Sequence, residues 1–139
     1  MSMLRGELWV MIPGTGLRSL EDLKETPALL SGMEPGRRAD PNGALGITDE
    51  IEYVMVEDAL NGAAGFFLDD LPDLLRAGQG GEYGFRSGPE RVAVEVDGDE
   101  ATLTGWDGSE LSTPVADLLR VLEQMQAEYA ELSALLSGG

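Results

Sequence analysis

The sequence predicts an α+β fold: a mostly antiparallel sheet of about five strands, with two short helices and a long C-terminal helix packed on one face. Three observations lead to this prediction. Apolar residues recur at three-four spacing over residues 113–136, apolar stretches separated by turn residues form a meander over residues 82–106, and a short apolar run closed by a turn lies near the N-terminus. The 139 residues, with 42% hydrophobic content, suit a single domain, 1–139, around one core.

The first predicted element is a buried strand over residues 7–12, a short apolar run that ends at a Pro-Gly pair. Ser19, followed three residues later by Asp22, predicts a helix start, and Pro27 is expected to break or restart that helix. The glycine-bearing turn between strand and helix lacks the lysine that a nucleotide-binding loop needs. We therefore interpret it as an ordinary tight turn.

Residues 31–46 are rich in Gly, Pro, Asn and Arg, which predicts a long surface loop that is either functional or disordered. This loop contains the only adjacent pair of basic residues, Arg37 and Arg38. Residues 48–58 then alternate with apolar side chains on both faces, which predicts a strand at a central position in a sheet. Asn61-Gly62 is a turn signal after that strand, and residues 63–68 either form a short strand or lead directly into the next helix.

Three acids, Asp69, Asp70 and Asp73, open the next predicted helix, which carries a proline at an early position and stops at Gly78. Negative charge at a helix start is favoured by the helix dipole. Capping therefore explains this acidic cluster without a partner, although the cluster can also serve as a contact surface.

The meander is predicted as three strands, over residues 82–86, 91–96 and 100–106, joined by turn residues. The turn from Asp97 to Glu100 has several carboxylates, but it lacks the remaining ligands of a calcium-binding loop, so we predict a plain turn. Trp106 ends the third strand and is large enough to anchor either the core or an interface.

The last predicted element is a helix over residues 113–136, with Thr113 as its N-cap. Its apolar stripe consists of Val115, Leu118, Leu122, Met125, Tyr129, Leu132 and Leu136. At 1.5 Å per residue such a helix extends about 36 Å, further than a short strand reaches. Its first half is expected to cover the sheet. Three partners are possible for its second half: the N-terminal elements, another protein, or a second copy of the chain in a homodimer through Met125, Tyr129, Leu132 and Leu136.

The charge and the missing residue types restrict the function. The net charge is −17, and the excess of acids lies entirely within residues 39–139. Such a field repels nucleic acid and anionic membranes and attracts a basic protein, although acidity that serves solubility alone explains it equally well. Without cysteine or histidine, thiolate nucleophiles, histidine triads and Cys/His metal sites are excluded. Catalysis would then have to rest on carboxylates, tyrosine, lysine or arginine, and no carboxylate lies in a recognisable apolar setting that would raise its pKa for acid work. We therefore expect no enzyme, no catalytic residue, no cofactor and no metal. The lack of a membrane-length apolar run or signal segment predicts a cytoplasmic protein.

These properties favour a non-catalytic protein-binding module for a basic partner such as a toxin. In overall type the chain resembles small acidic bacterial immunity proteins, which block the active site of a cognate toxin, and no single motif carries this resemblance. An acidic secretion chaperone, a nucleic-acid mimic and a homo-oligomeric structural or regulatory domain are the alternatives. The candidate partner-binding residues are acids of the helix start and turns, together with one tryptophan: Asp69, Asp70, Asp73, Asp97, Asp99, Glu100, Trp106 and Asp107.

Overall fold

The computed structural model describes residues 4–138. These residues form two four-stranded antiparallel sheets and five α-helices, of which the longest lies at the C-terminal end. The predicted α+β class is confirmed. The predicted number of strands is wrong, because the described residues form eight strands instead of about five.

The first sheet is built from the N-terminal half of the chain. Its strands are β1 (Arg5–Ile12), β2 (Gly16–Ser19), β3 (Asn42–Thr48) and β4 (Tyr53–Ala59). They are hydrogen-bonded in the order β2-β1-β3-β4, and all of the pairs are antiparallel. The strand predicted over residues 7–12 is confirmed by β1. The single strand predicted over residues 48–58 is found only in part, because Thr48 ends β3 and β4 begins at Tyr53. Its predicted central position is wrong, since β4 is an edge of the sheet.

The predicted surface loop over residues 31–46 is also wrong. This segment contains α2 (Pro35–Ala39) and most of β3, and six of the seven residues of β3 are buried. The glycines that suggested a loop instead permit close packing in the sheet. A Cβ atom on Gly43 would collide with the carbonyl oxygen of Trp9, and one on Gly46 would collide with the ring of Tyr53.

The first helix confirms the predicted capping box. α1 (Leu20–Glu25) begins after Ser19, whose hydroxyl accepts a hydrogen bond from the backbone N–H of Asp22 at 3.2 Å. The Asp22 carboxylate accepts one from the N–H of Ser19 at 3.2 Å in return. Pro27 breaks the helix as predicted, and residues Pro27–Gly32 form a 3₁₀ segment.

A continuous helical stretch occupies residues 60–76, where the sequence predicted a turn followed by a capped helix. It comprises α3 (Leu60–Ala64), a π-helical segment Gly65–Asp70 and α4 (Leu71–Arg76). The predicted turn at Asn61-Gly62 is therefore wrong. The predicted acidic cap is also wrong, because Asp70 has helical dihedral angles and its side chain forms no capping hydrogen bond. Burial of the apolar run over residues 63–68 outweighs the local turn preference. The predicted stop at Gly78 is confirmed by its positive φ of 73°.

The second sheet confirms the meander and lengthens it by one strand. Its strands, in sheet order, are β5 (Gly81–Gly84), β6 (Arg91–Asp97), β7 (Glu100–Thr104) and β8 (Glu110–Pro114). Thr113 was predicted as a helix N-cap but is a buried residue of β8. The helix follows the strand without a loop, and the N–H of Val115 donates to the carbonyl oxygen of Asp99 at 2.7 Å.

The C-terminal helix, α5 (Val115–Gly138), packs against both sheets through β1, β7 and β8. A Cβ atom on Gly6 of β1 would collide with Met125, so this glycine allows the helix to lie close to the strand. The second half of α5 is covered by its own chain, since Leu132 and Leu136 are 2% and 5% exposed. α2 packs against this half, and Lys24 of α1 forms an ion pair with Glu131.

Three of the four side chains expected at a dimer surface, Met125, Leu132 and Leu136, are therefore buried inside their own chain, and Tyr129 is partly buried. The homodimer itself stays a prediction, but these positions do not offer it a free surface. None of the helices within residues 4–138 is both long and apolar enough to cross a membrane.

Candidate functional site

A cleft of about 430 Å³ opens where the edge of the first sheet meets two loops of the second. β4 is also in contact with β8, the edge strand of the second sheet. The cleft is lined by three aromatic residues (Tyr53, Phe85 and Trp106), three acids (Glu57, Glu90 and Asp107), Met55 and Ser87. Its walls come from three separate elements: the outer face of β4, the loop after β5 and the turn between β7 and β8.

The outer face of β4 forms the first wall. Side chains alternate along this strand, so that Val54 and Val56 enter the core while Tyr53, Met55 and Glu57 face outward into the cleft. This arrangement explains why the strand is apolar on both faces although it lies at an edge. One face packs on the core, and the other lines the cleft.

Tyr53 is held in position by two features of its neighbours. Its hydroxyl donates a hydrogen bond to Oε2 of Glu7 at 2.9 Å. Its ring lies across Gly46 in the adjacent strand, where any side chain larger than a hydrogen would displace it. Burial, and then the hydrogen bond and negative charge of Glu7, raise the pKa of Tyr53, so the phenol stays neutral at physiological pH.

A buried carboxylate anchors the second wall. Asp58, on the core side of β4 and only 5% exposed, accepts hydrogen bonds from the hydroxyl of Tyr83, from the N–H of Arg86 at 2.8 Å and from the N–H of Ser87 at 3.1 Å. Burial alone would raise the pKa of Asp58, but these hydrogen bonds outweigh burial and hold it below its ordinary value. Asp58 therefore ties the loop of the second sheet to the edge of the first.

The loop held by Asp58 positions Phe85. The backbone N–H of Phe85 donates to the carbonyl oxygen of Glu90 at 2.9 Å, which closes the loop on itself. The Phe85 ring centroid lies 5.9 Å from that of Tyr83, whose own ring reaches the buried Phe67. The second wall is thus connected to the hydrophobic core by a chain of aromatic contacts.

The third wall presents Trp106 to solvent on an ordered turn. Trp106 is 57% exposed. Oδ1 of Asp107 accepts hydrogen bonds from the hydroxyl of Ser109 at 2.7 Å and from its N–H at 3.1 Å, and these bonds lower the pKa of Asp107. Gly108, with φ of 88°, completes the turn. Of the two roles that the sequence allowed Trp106, the core is therefore excluded.

The residues that line the cleft carry negative charge. Within the described part of the chain, no lysine or arginine lines it, and the Glu57 and Glu90 carboxylates form no hydrogen bond or ion pair. The neighbouring Arg91 forms an ion pair with Glu82 at 2.9 Å, and the Arg86 side chain lies beside Gly62 instead. Two free carboxylates therefore stand beside the aromatic rings.

Of the eight partner-binding residues predicted from the sequence, Trp106 and Asp107 line this cleft. The turn containing Asp97, Asp99 and Glu100 lies at the opposite end of β7 from Trp106.

The acids of the helical stretch lie at a third place. Asp69 accepts a hydrogen bond from Gln126 of α5 at 3.3 Å, and Asp73 pairs with Arg76 at 3.3 Å. Asp70 is exposed beside them. The eight predicted residues thus occupy three separate surfaces, so they do not form one contact patch.

Sequence reasoning missed the other side chains of the cleft: Tyr53, Met55, Glu57, Phe85, Ser87 and Glu90. The available signal is that both faces of the strand predicted over residues 48–58 carry apolar side chains, a pattern that favours a central strand. An edge strand whose outer face lines a binding cleft has the same pattern.

Among residues 4–138, no three acids are grouped closely enough to hold a metal ion. Comparison of the chain with protein-family models, with curated proteins and with solved structures found no match.

Proposed function

We propose that the protein is a non-catalytic binding module that recognises a basic partner protein through this cleft, as a small acidic inhibitor of the immunity type does. One observation carries the proposal. The large apolar side chains that are exposed within residues 4–138 are Ile51, Tyr53 and Trp106, and all three lie at the cleft or in the turn that leads into it.

Exposed aromatic residues of this kind are typical of partner-binding surfaces. Tryptophan and tyrosine are enriched among the residues that contribute most to binding energy, because a partner removes their large apolar area from water. Here the rings stand beside unpaired carboxylates in a chain of net charge −17. A partner that covers this surface is best matched if it is basic, and the overall charge accelerates its approach.

The secretion-chaperone alternative receives less support from the packing. A chaperone of that kind would be mostly helical and would expose an apolar helix face for dimerisation. The apolar stripe of α5 is instead largely buried against both sheets and other helices of its own chain. The exposed apolar surface lies on a sheet edge and two loops instead.

The experiment compares two variants that remove equal charge. The cleft variant is Glu57→Gln/Glu90→Gln/Asp107→Asn, and the hairpin variant is Asp97→Asn/Asp99→Asn/Glu100→Gln. A partner captured from the native host is purified, and its association with the wild type and both variants is followed by stopped flow at increasing salt. We expect a basic partner whose association slows with salt and whose complex is weakened at least about tenfold more by the cleft variant.

Three results would contradict the proposal. The first is a partner of acidic or neutral charge, the second is an association rate that salt does not change, and the third is a partner whose own activity the bound protein leaves unaffected. Equal weakening by the two variants would place the contact outside the cleft.

A further inference from the structure

The chemistry of the cleft narrows its occupant to one type of side chain. We infer that the cleft takes an arginine side chain of the partner protein, with its guanidinium stacked on Trp106 and hydrogen-bonded to the surrounding carboxylates. This inference rests on the proposed function, because it names the group by which a basic partner is recognised.

The aromatic rings favour a cation over a neutral group. Tyr53, Phe85 and Trp106 line one cleft from three different elements. The face of an aromatic ring carries negative potential, and tryptophan attracts a cation most strongly. Arginine has a further advantage over lysine, because its planar guanidinium stacks flat on a ring, whereas a compact ammonium does not.

The carboxylates favour arginine for a second reason. Glu57 and Glu90 have no partner among the described residues, and the hydrogen bonds from Ser109 to Asp107 use only Oδ1. The acceptors therefore stand on three elements around the cleft instead of at one point. A guanidinium offers five N–H donors spread over a plane, while an ammonium offers three on one atom. The guanidinium is also more weakly hydrated, so its transfer into the cleft is less unfavourable.

The walls are held in place before any ligand arrives. Tyr53 is fixed by its hydrogen bond to Glu7, the loop of Phe85 by Asp58, and the turn of Trp106 by the bonds between Asp107 and Ser109. A preorganised site loses little conformational entropy on binding, which leaves more of the contact energy for affinity.

The arginine is expected to belong to a protein and not to be the free amino acid. Free arginine carries an α-carboxylate, which the acidic lining and the overall charge of −17 repel. An arginine inside a peptide has no such group, and its backbone places the side chain alone in the cleft.

The test uses the full chain with Trp9→Phe, which leaves Trp106 as the only tryptophan. Its fluorescence is titrated with blocked pentapeptides that differ only at the central residue, which is arginine, lysine or the neutral isostere citrulline, and with free L-arginine. We expect the arginine peptide to change the Trp106 emission and to bind about tenfold tighter than the citrulline peptide. The lysine peptide and free arginine should bind several-fold more weakly than the arginine peptide.

Both charge variants are then tested in the Trp9→Phe background, after thermal unfolding has shown that each is folded. The cleft variant should lose at least about tenfold in affinity for the arginine peptide, and the hairpin variant should stay within about twofold of the parent. Calorimetry of the same titrations detects binding that does not involve Trp106.

Each other result overturns the inference in a recognisable way. Equal affinity for arginine and lysine peptides removes the arginine preference but leaves a cation-binding cleft, as the proposed function requires. Calorimetric binding without a change in Trp106 emission moves the contact elsewhere on the protein. If no peptide binds by either method, the inference fails, and the salt dependence of association with the captured partner still decides the proposed function separately.

Discussion

The hydrogen bond between Asp58 and Tyr83 is predicted to be a major contributor to stability, because it joins the two sheets through side chains that are 5% and 8% exposed. A hydrogen bond to a charged group contributes about 1.5–3 kcal/mol. Tyr83→Phe should therefore destabilise the protein by about 2 kcal/mol. Asp58→Asn should have a larger effect, about 3 kcal/mol. The carboxylate accepts hydrogen bonds at both oxygens, whereas the new amide N–H₂ would face one of those donors and could not accept from it.

The expected effect of Asp58→Asn stays near about 3 kcal/mol, because Arg86 and Ser87 are exposed and their N–H groups can bond to water once the carboxylate is gone. For a chain of this length, 1 kcal/mol corresponds to about 3 °C in Tm. Asp58→Asn should therefore lower Tm by about 9 °C.

The measurement is a double-mutant cycle. Wild type, Asp58→Asn, Tyr83→Phe and the double variant are unfolded with urea and by heat. The double variant should be more stable than the sum of the single effects by about 1–2 kcal/mol, since the second substitution removes a bond already lost. Strictly additive effects, or a change below about 0.5 kcal/mol for either single variant, would refute the reasoning.

The pH dependence follows from the direction of the pKa shift of Asp58. The folded-state pKa lies below the unfolded value of about 3.9. The ionised group therefore adds stability that is fully present above the unfolded pKa and is lost as the pH falls through the folded pKa. Urea unfolding is measured from pH 7 down to pH 3. The difference in the free energy of unfolding between wild type and Asp58→Asn should narrow only below about pH 4. A gap that narrows at higher pH, or one that widens in acid, would contradict this assignment.

Two further predictions concern the packing of the cleft wall and of α5. Gly46→Ala should destabilise the protein by about 1–3 kcal/mol, because the new methyl group displaces the Tyr53 ring. In urea unfolding, adding Tyr53→Ala should relieve most of that strain. If it brings no relief, the ring is not the obstacle. Leu132→Ala should lower the free energy of unfolding by about 2–4 kcal/mol at every protein concentration, because Leu132 is 98% buried within its own chain; an effect that disappears on dilution would instead place this side chain at a contact between chains.

Much of the fold could be predicted wherever local signals and tertiary packing agree. The three-four spacing of α5, the capping box of Ser19 and Asp22 and the alternation of β6 each describe a structure that the surrounding packing also favours. The errors lie where packing overrides local preference. Gly43 and Gly46 suggest a loop but lie in a buried strand. Each is needed there because a side chain would collide with a residue of a neighbouring strand, Trp9 or Tyr53.

The candidate site could be predicted only in part, for a related reason. The local sequence predicts Trp106 and Asp107 as binding residues because it shows the turn that contains them. It does not predict Tyr53, Phe85 and Glu90, because they join the cleft only when an edge of the first sheet comes to lie beside two loops of the second. Asp58 and Tyr83 make that junction, although they are 25 residues apart in the chain.

Composition and the spacing of neighbouring residues are enough to predict the α+β class, the long C-terminal helix, the acidic field and the lack of cysteine and histidine chemistry. Three other features are visible only in the folded chain: its two sheets, the covering of α5 by its own chain, and the cleft that three aromatic rings and three acids share. Those features depend on contacts between distant residues, and a linear pattern does not specify which buried surfaces meet.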